Sequence, residues 1–436
     1  MKKKNYLLGA LAAGMLLFTA CSNEDDVTTG NGNEDAAQTF VLQVASSGDG
    51  MTRAGRPMLG SEAKQNIQNV KLIICEGTTV KFVKTITDWN ADSNSTAYTT
   101  GGHGRQAIVE IPTANKLEGG KTYNVYAFGY SDNSDYNLTA ITNITDGTTT
   151  GTFNENVVLS FEGGAKNTVG EEIFAGSLSL KVETGKGFKQ PIVLNRQVAG
   201  TYGYVNDIPY IKEATKLQLV ASDRNQQLVL GNFANFDLTG NGIGNDDHIN
   251  YVVNGTGSNA DKVIYTIDLA KWFVELKEKN GLLDDAKWAV PAGSPYTGKY
   301  FKKGSVFAGE FLIPFAKTTD QTFKLQLTDA GGESLRSWNV NLPSGDGQLT
   351  TYSLVKWDGS AFATTSDMQD TKNAYNVVRN HLYGIGQRMH DEPTEPGEPG
   401  VDPDPEGDKP ESLNNKQELV LKVNDNWEVI HGMELE

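Results

Sequence analysis

Apolar and polar residues alternate along most of this chain in runs of strand length. TFVLQVAS (39–46) puts Phe40, Leu42 and Val44 on one side. Between residues 69 and 183 come NVKLIICEG, TVKFVKTI, QAIVEIP, TYNVYAFGY, VVLSFEG and IFAGSLSLKVE, separated by turn-rich pieces such as DWNADSNST and LEGGK. KQPIVLNRQVAGTYGYVN (189–206) reads as one further long strand with Arg196 in its middle. The pattern restarts with KLQLVAS and QQLVLGNF, then continues through VFAGEFLIPF, TFKLQLTDA, SLRSWNVNLP, TYSLVKWDG and NAYNVVRNHLYGIGQRM. Period-two alternation marks strands with one buried face, and short strands punctuated by Gly, Asn and Asp point to β-sandwiches. The clearest helix is DLAKWFVELKEKNG (268–281): Leu269, Trp272, Phe273 and Leu276 share a face, Asp268 caps the start, and Asn280-Gly281 stops it. The pattern therefore predicts a mainly β protein of two sandwiches, residues 54–210 and 211–390, with a short helix in the second.

The tail departs from this rhythm. In QELVLKVNDNWEVIHGMEL (417–435), one register holds Leu419, Leu421, Val423, Asp425, Trp427, Val429, His431, Met433 and Leu435, of which seven of nine are apolar, while the other register is mostly polar. At about 3.3 Å per residue such a strand could run about 55 Å, against the usual strand of about 5–6 residues. Before it lies DEPTEPGEPGVDPDPEGDKPES (391–412), where Pro, Gly, Asp and Glu fill eighteen of twenty-two positions, so the segment builds no core and acts as an extended tether. Residues 413–436 then read either as a last strand folding back on its own domain or as a strand meant for another molecule's sheet. Trp427 is the candidate anchor of such a strand, since aromatics dominate interface hot spots; otherwise it packs on its own domain.

The start of the chain carries different chemistry. Lys2 to Lys4 precede an apolar stretch, Tyr6 to Phe18, too short to span a bilayer well, and Phe18-Thr19-Ala20-Cys21 resembles a bacterial lipobox. Residues 1–21 are thus predicted to be a signal peptide, with Cys21 as the acylated residue or as an incidental cysteine of a plain signal. Residues 22–53 hold a polar spacer, the first strand, and the start of the Gly-rich segment GDGMTRAGRPMLG with Arg53 and Arg56, a composition preferred for proteolytic nicking.

Composition narrows the function classes. The 436 residues suffice for about two to three domains. A net charge of −16 argues against a nucleic-acid partner, which needs basic patches. With two cysteines, Cys21 and Cys75, the chain is no disulfide scaffold, and Cys75 inside an apolar run reads as a buried free thiol. Asp237, Asn241, Asn245, Asp246 and Asp247 offer oxygen ligands, but the spacing fits no EF-hand and a solvated loop is the preferred reading. Gly240, Gly242 and Gly244 lack the strand-turn-helix context of a nucleotide loop. His103, His248, His381, His390 and His431 sit in no metal-ligand spacing and beside no nucleophile motif. Arg196 and Arg379 are mid-strand cations, by default paired at the surface or the sandwich rim. No cofactor, metal site or catalytic constellation is predicted.

In this order, the pieces resemble the type V pilins, or fimbrillins, of Gram-negative bacteria. The resemblance covers most of the chain and rests on the lipobox at Cys21, the Thr52-Arg53-Ala54 step after a short strand, VLNRQVAG around Arg196, VVRNHLY around Arg379 and His381, and the Pro/Asp tether before a Trp-containing last strand. It implies two tandem transthyretin-like β-sandwiches and an outer-membrane lipoprotein precursor whose lipid sits on Cys21. It further implies that an Arg-specific, trypsin-like surface protease cuts after an arginine, here most like Arg53, to leave a mature chain beginning at Ala54. Loss of Phe40, Leu42 and Val44 with the first strand would open a groove, filled by a neighbouring subunit's strand bearing Leu419, Leu421, Val423, Trp427, Val429, Met433 and Leu435. The partners implied are identical or related subunits joined head to tail in a surface fimbria, with host or bacterial receptors left open. Two rivals remain: a monomeric lipid-anchored protein that binds surface glycans, and an exported hydrolase, for which no carboxylate pair or triad is visible.

Overall fold

The computed structural model describes residues 36–45, 67–98, 104–162, 172–231, 248–289, 302–315, 323–341, 351–364, 376–386, 409–414, 418–420 and 422–424. Within them the protein is mainly β. The first ten strands are β1 (Gln38–Ala45), β2 (Asn69–Glu76), β3 (Thr79–Ile86), β4 (Thr96–Tyr98), β5 (Gly104–Glu110), β6 (Thr122–Tyr130), β7 (Val158–Ser160), β8 (Phe174–Lys181), β9 (Phe188–Arg196) and β10 (Ala199–Asn206). Eight of these form one sheet in the order β3-β2-β6-β8-β9-β1-β5-β4. The β8–β9 joint is a corner, paired through Phe174↔Arg196 and Ala175↔Asn195. The two halves of the order close on one core, to which β1 gives Phe40, Leu42 and Val44, β2 gives Val70, Leu72 and Ile74, and β9 gives Ile192 and Leu194.

The two layers around this core are not equivalent. β2 is buried on both faces, which explains the unbroken apolar run VKLIIC. Its second face sends Ile73 and Cys75 into another core, joined by Tyr126 and Phe128 of β6. Lys71 is buried on that same side, where its Nζ donates to the carbonyls of Ile144 at 2.7 Å and Ile141 at 3.3 Å around the single-turn helix Thr139–Thr142. The layer β9-β1-β5-β4 has one covered face: Ile108 of β5 is 63% exposed and Val193 of β9 is 42% exposed.

The second half builds two five-stranded sheets, beside smaller ones. One runs Val306–Leu312, β10, Leu382–Ile385, Lys422–Asn424, with Glu411–Ser412 also on β10. The other runs Val263–Asp268, Lys216–Ala221, Phe323–Thr328, Ser334–Asn341, Glu418–Val420. Ile385 from the first and Leu217, Leu325 and Trp338 from the second belong to one core, and Tyr265 of the second lies so close to Gly203 of β10 that a Cβ there would come 2.3 Å from its hydroxyl.

Three sequence expectations are corrected. Residues 189–206 are two strands, β9 and β10, in different sheets: the chain leaves the first sheet at Gln197, and β10 pairs with Val306–Leu312 and Leu382–Ile385. Alternation runs on across the break because each strand keeps an inward face, so periodicity does not register a change of sheet. The helix at 268–281 is one turn, Leu269–Trp272, with the Asp268 carboxylate accepting from the Ala270 amide at 3.1 Å. After it comes a hairpin, Glu278–Lys279 with Leu282–Leu283, turned by Asn280 and Gly281, both at positive φ. Asn-Gly at two positive-φ positions is the favoured two-residue hairpin turn, and Trp288 edge-on against Trp272 and Phe273 accounts for the apolar spacing. Finally, NAYNVVRNHLYGIGQRM is a strand only over Leu382–Ile385 among its described residues, with Asn380 at φ 60° just before it.

Candidate functional site

The site that the resemblance implies is the place occupied by β1. This strand pairs parallel with β9, from Gln38↔Phe188 to Val44↔Leu194, and antiparallel with β5, from Thr39↔Glu110 to Ala45↔Gly104. Phe40, Leu42 and Val44 are fully buried, and the Phe40 ring meets Phe188 edge-on with centroids 5.1 Å apart. Burying three such side chains stabilises by roughly 5–9 kcal/mol at about 1.5–3 kcal/mol each. At the head of the strand Gln38 is buried too, and its amide reads the main chain of Leu117 in both directions: Nε2 donates to the Leu117 carbonyl at 3.0 Å, and the Leu117 N–H donates to Oε1 at 2.8 Å. On the outer face Gln43 Nε2 donates to Gln106 Oε1 at 3.1 Å. Behind the slot, β8 and β9 approach so closely at Gly176 that a Cβ there would lie 2.1 Å from the Val193 carbonyl oxygen.

Topology makes β1 separable. It precedes every other described strand, so removing it requires no rethreading of the chain. Its loss would leave facing rows of unpaired N–H and C=O groups on β5 and β9 over an apolar trough, a template for another strand.

The tail is partly engaged on its own chain. Glu411–Ser412 lies parallel to Val205–Asn206 of β10, the Leu413 amide donates to the Asn206 carbonyl at 3.0 Å, and Leu413 is fully buried in the second core. The end of the sequence-defined tether and the first residue of the 413–436 segment thus anchor the second half. Beyond, Glu418–Val420 pairs parallel with Asn339–Asn341, and Lys422–Asn424 pairs antiparallel with Leu382–Gly384. Leu419 stands opposite Val340 and Val423 opposite Tyr383. The one continuous strand expected from the alternation is here shared between two sheets, each piece at an edge. Cys21, Arg53, Ala54, Arg56, Leu421, Trp427, Val429, Met433 and Leu435 lie outside the described residues. So do the oxygen-rich loop at Asp237–Asp247 and His103, His390 and His431.

Arg196 and Arg379 are corrected from rim to interior. Each is 2% exposed, at the crossing from the first sheet to the second half. Arg196 Nε donates to Glu172 Oε1 at 2.8 Å, and its Nη1 reaches Asn380 Oδ1 at 3.4 Å. Arg379 Nη1 donates to Gln197 Oε1 at 2.9 Å and to the Gly231 carbonyl at 3.2 Å, and burial pulls this guanidinium below its ordinary range. Asn380 N–H on the Val198 carbonyl and Gly200 N–H on the His381 carbonyl, each 2.9 Å, close the crossing. The alternation contains no signal for this network. Cys75 is buried and free, as the sequence predicts, and burial pushes its thiol up to about 11. Among the described residues, no cluster of His, Cys, Asp or Glu could hold a metal ion, and no helix is long and apolar enough to cross a membrane.

No family model and no curated protein matches the chain. Among solved structures it is similar to a fimbrilin of Porphyromonas gingivalis, at 12% identity and TM-score 0.36, over 89% of this chain and 98% of that one. It is also similar to a fimbrial assembly protein of Parabacteroides distasonis (10% identity, TM-score 0.33, 81% and 95% covered). A third is the fimbrial anchor protein Mfa2 of Porphyromonas gingivalis (10% identity, TM-score 0.33, 79% and 100% covered). Likenesses at TM-scores this low assign no function to the chain.

Proposed function

We propose that this protein is a structural subunit of a cell-surface fimbria, polymerised by strand exchange once an Arg-specific protease has removed its first strand from a lipidated precursor. The observation that carries the reading is the position of β1: mid-sheet, paired on both sides, three side chains fully buried, and followed in sequence by Arg53 and Arg56. Cutting there converts a complete sandwich into an incomplete one. A tail strand from a neighbour supplies both the missing backbone partners and the missing apolar face, and burying three apolar side chains in the places of Phe40, Leu42 and Val44 would contribute roughly 5–9 kcal/mol gross. Ordering the tail offsets much of this at about 1–2 kcal/mol per residue, so the ladder hydrogen bonds tip the balance. Head-to-tail docking of this kind does not close and so yields a fibre.

Arg53→Ala tests the reading. The expected outcome is lipidated precursor on the cell and no polymer, against wild-type polymers whose first residue is Ala54 by N-terminal sequencing. Normal polymers from the variant, with the wild-type first residue, overturn it. A second reading has one observation in its favour: Glu418–Val420 and Lys422–Asn424 pair on the chain's own sheets. On that reading the protein is a monomeric lipid-anchored surface protein that binds glycans, and the same measurement returns an acylated Cys21 on a monomer.

A further inference from the structure

The tail repeats the strand it would replace. Residues 38–45 read QTFVLQVA and residues 417–424 read QELVLKVN. Gln, Val, Leu and Val recur at the first, fourth, fifth and seventh positions. Leu419 answers to Phe40 and Lys422 to Gln43, so every inward position stays inward in character and the outward polar position stays polar. Resting on the strand-exchange reading, we propose that residues 417–424 of a second copy fill the β1 slot in β1's own direction, parallel to β9, with Gln417 in the place of Gln38, Leu419 of Phe40, Leu421 of Leu42 and Val423 of Val44.

The slot itself selects this register. Any occupant must satisfy the Leu117 N–H and C=O that Gln38 pairs in the precursor, because a buried polar group left unpaired is destabilising. Gln417 is the one glutamine between residues 413 and 436. A slip of one residue turns the polar face inward. A slip of two in one direction puts Gln417 where Phe40 lies fully buried. A slip of two in the other puts the Asp425 carboxylate where Val44 lies fully buried, and an unpaired buried carboxylate is strongly disfavoured. A longer slip that seats Trp427 at Phe40 places the larger indole in a filled pocket and His431 at Val44. The anchor of the tail is therefore the leucine-valine segment rather than Trp427.

The register also places the neighbour. Leu413 stays buried in its own subunit, and the four steps to Gln417 span at most about 14 Å at about 3.3–3.6 Å per residue. The Leu117 end of the acceptor slot must then lie against the Asn206 end of the donor's β10.

Cysteine pairs read the register directly. Gln43 and Gln106 touch across β1 and β5, so Lys422→Cys with Gln106→Cys brings two cysteines into disulfide range between subunits, while Ile430→Cys with Gln106→Cys does so only if Trp427 takes the Phe40 site. In trimmed, polymerised protein, the first pair is expected to give a ladder on non-reducing gels after boiling, collapsing to monomer on reduction, and the second none. A ladder from the second pair alone, or polymers with neither cross-link, overturns the register and leaves strand exchange standing. A cross-linked monomer means the tail has entered its own chain's slot and overturns the proposal. Trimmed wild-type protein that forms no polymer removes the strand-exchange reading and this inference with it.

Discussion

Two strands that share four of eight residues and one inward pattern have opposite situations in this molecule. Gln38–Ala45 is held between two neighbours over a closed core, whereas Glu418–Val420 and Lys422–Asn424 each hang on the edge of a sheet in the second half. Alternation specifies that a strand needs one buried face; it does not specify which sheet supplies it. That choice falls to topology. On the strand-exchange reading, β1 fills a slot that the rest of the first sandwich leaves open, and the tail takes edges because the slot is occupied. The layer carrying β1 is covered on one face while the layer carrying β2 is covered on both, so the slot lies in the part of the first sandwich where an exchange disturbs least. On the strand-exchange reading, the difference between an edge and a slot is the free energy that moves the tail.

The strongest way to break this comparison is to weaken the two strands at matched positions. Leu42→Ala should destabilise the purified precursor by about 2–5 kcal/mol in urea unfolding, as truncations of fully buried leucines do, yet, on the strand-exchange reading, leave assembled polymer untouched because its subunits lack residue 42. Leu421→Ala should do the reverse. It is expected to shift precursor stability by less than about 1 kcal/mol and to lower the temperature at which polymers fall apart in detergent. A precursor unfolded by Leu421→Ala, or polymers weakened by Leu42→Ala, would show that the two strands do not share one site.

Much of this contrast is legible in the sequence, and its limits have physical causes. The inward set Phe40, Leu42 and Val44 follows from period two and is fully buried. So does the buried, free state of Cys75 inside its apolar run. The sheet change at Gln197 does not follow, because both strands keep the same period. The hairpin at Asn280-Gly281 is hidden by a run of Leu, Trp and Phe that satisfies helical spacing while its aromatics gather on Trp288. The burial of Arg196 and Arg379 depends on partners far away in sequence, Asn380 for the first and Gln197 for the second. The likeness of QTFVLQVA to QELVLKVN is visible in the letters alone, but only the paired hydrogen bonds of Gln38 to Leu117 give its first residue a meaning.

A finer comparison isolates that glutamine. Gln38→Met keeps the length and apolar stem of the side chain but leaves the Leu117 N–H and C=O without their partner, which should lower precursor stability by about 1–3 kcal/mol. Gln417→Met should leave the precursor within about 0.5 kcal/mol of wild type and lower polymer stability instead. If Gln417→Met polymers dissociate at the wild-type temperature, Gln417 does not occupy the place of Gln38, whatever the fate of the leucines.

The smallest expected effect tests whether the exchange stays local. Cys75 lies on the face of β2 turned away from the slot, in the core it shares with Tyr126 and Phe128. Burial holds its thiol at about 11, above the ordinary value of about 8.5, so the folded state binds this proton more tightly than the unfolded one. The resulting stabilisation is fully present below the ordinary value and is lost as pH rises toward 11. At pH 8 the native thiol should therefore resist alkylation, and Cys75→Ala should flatten the decline in stability between about pH 9 and 11. On the strand-exchange reading, trimming at Arg53 takes only Phe40, Leu42 and Val44 from the other core, so the alkylation rate of Cys75 at pH 8, measured by mass spectrometry, should be the same in precursor, trimmed monomer and polymer. A thiol that reacts readily only in the trimmed monomer would mean that losing β1 opens both faces of β2. The tail would then be rebuilding a collapsed sandwich, not filling a slot held ready by its walls.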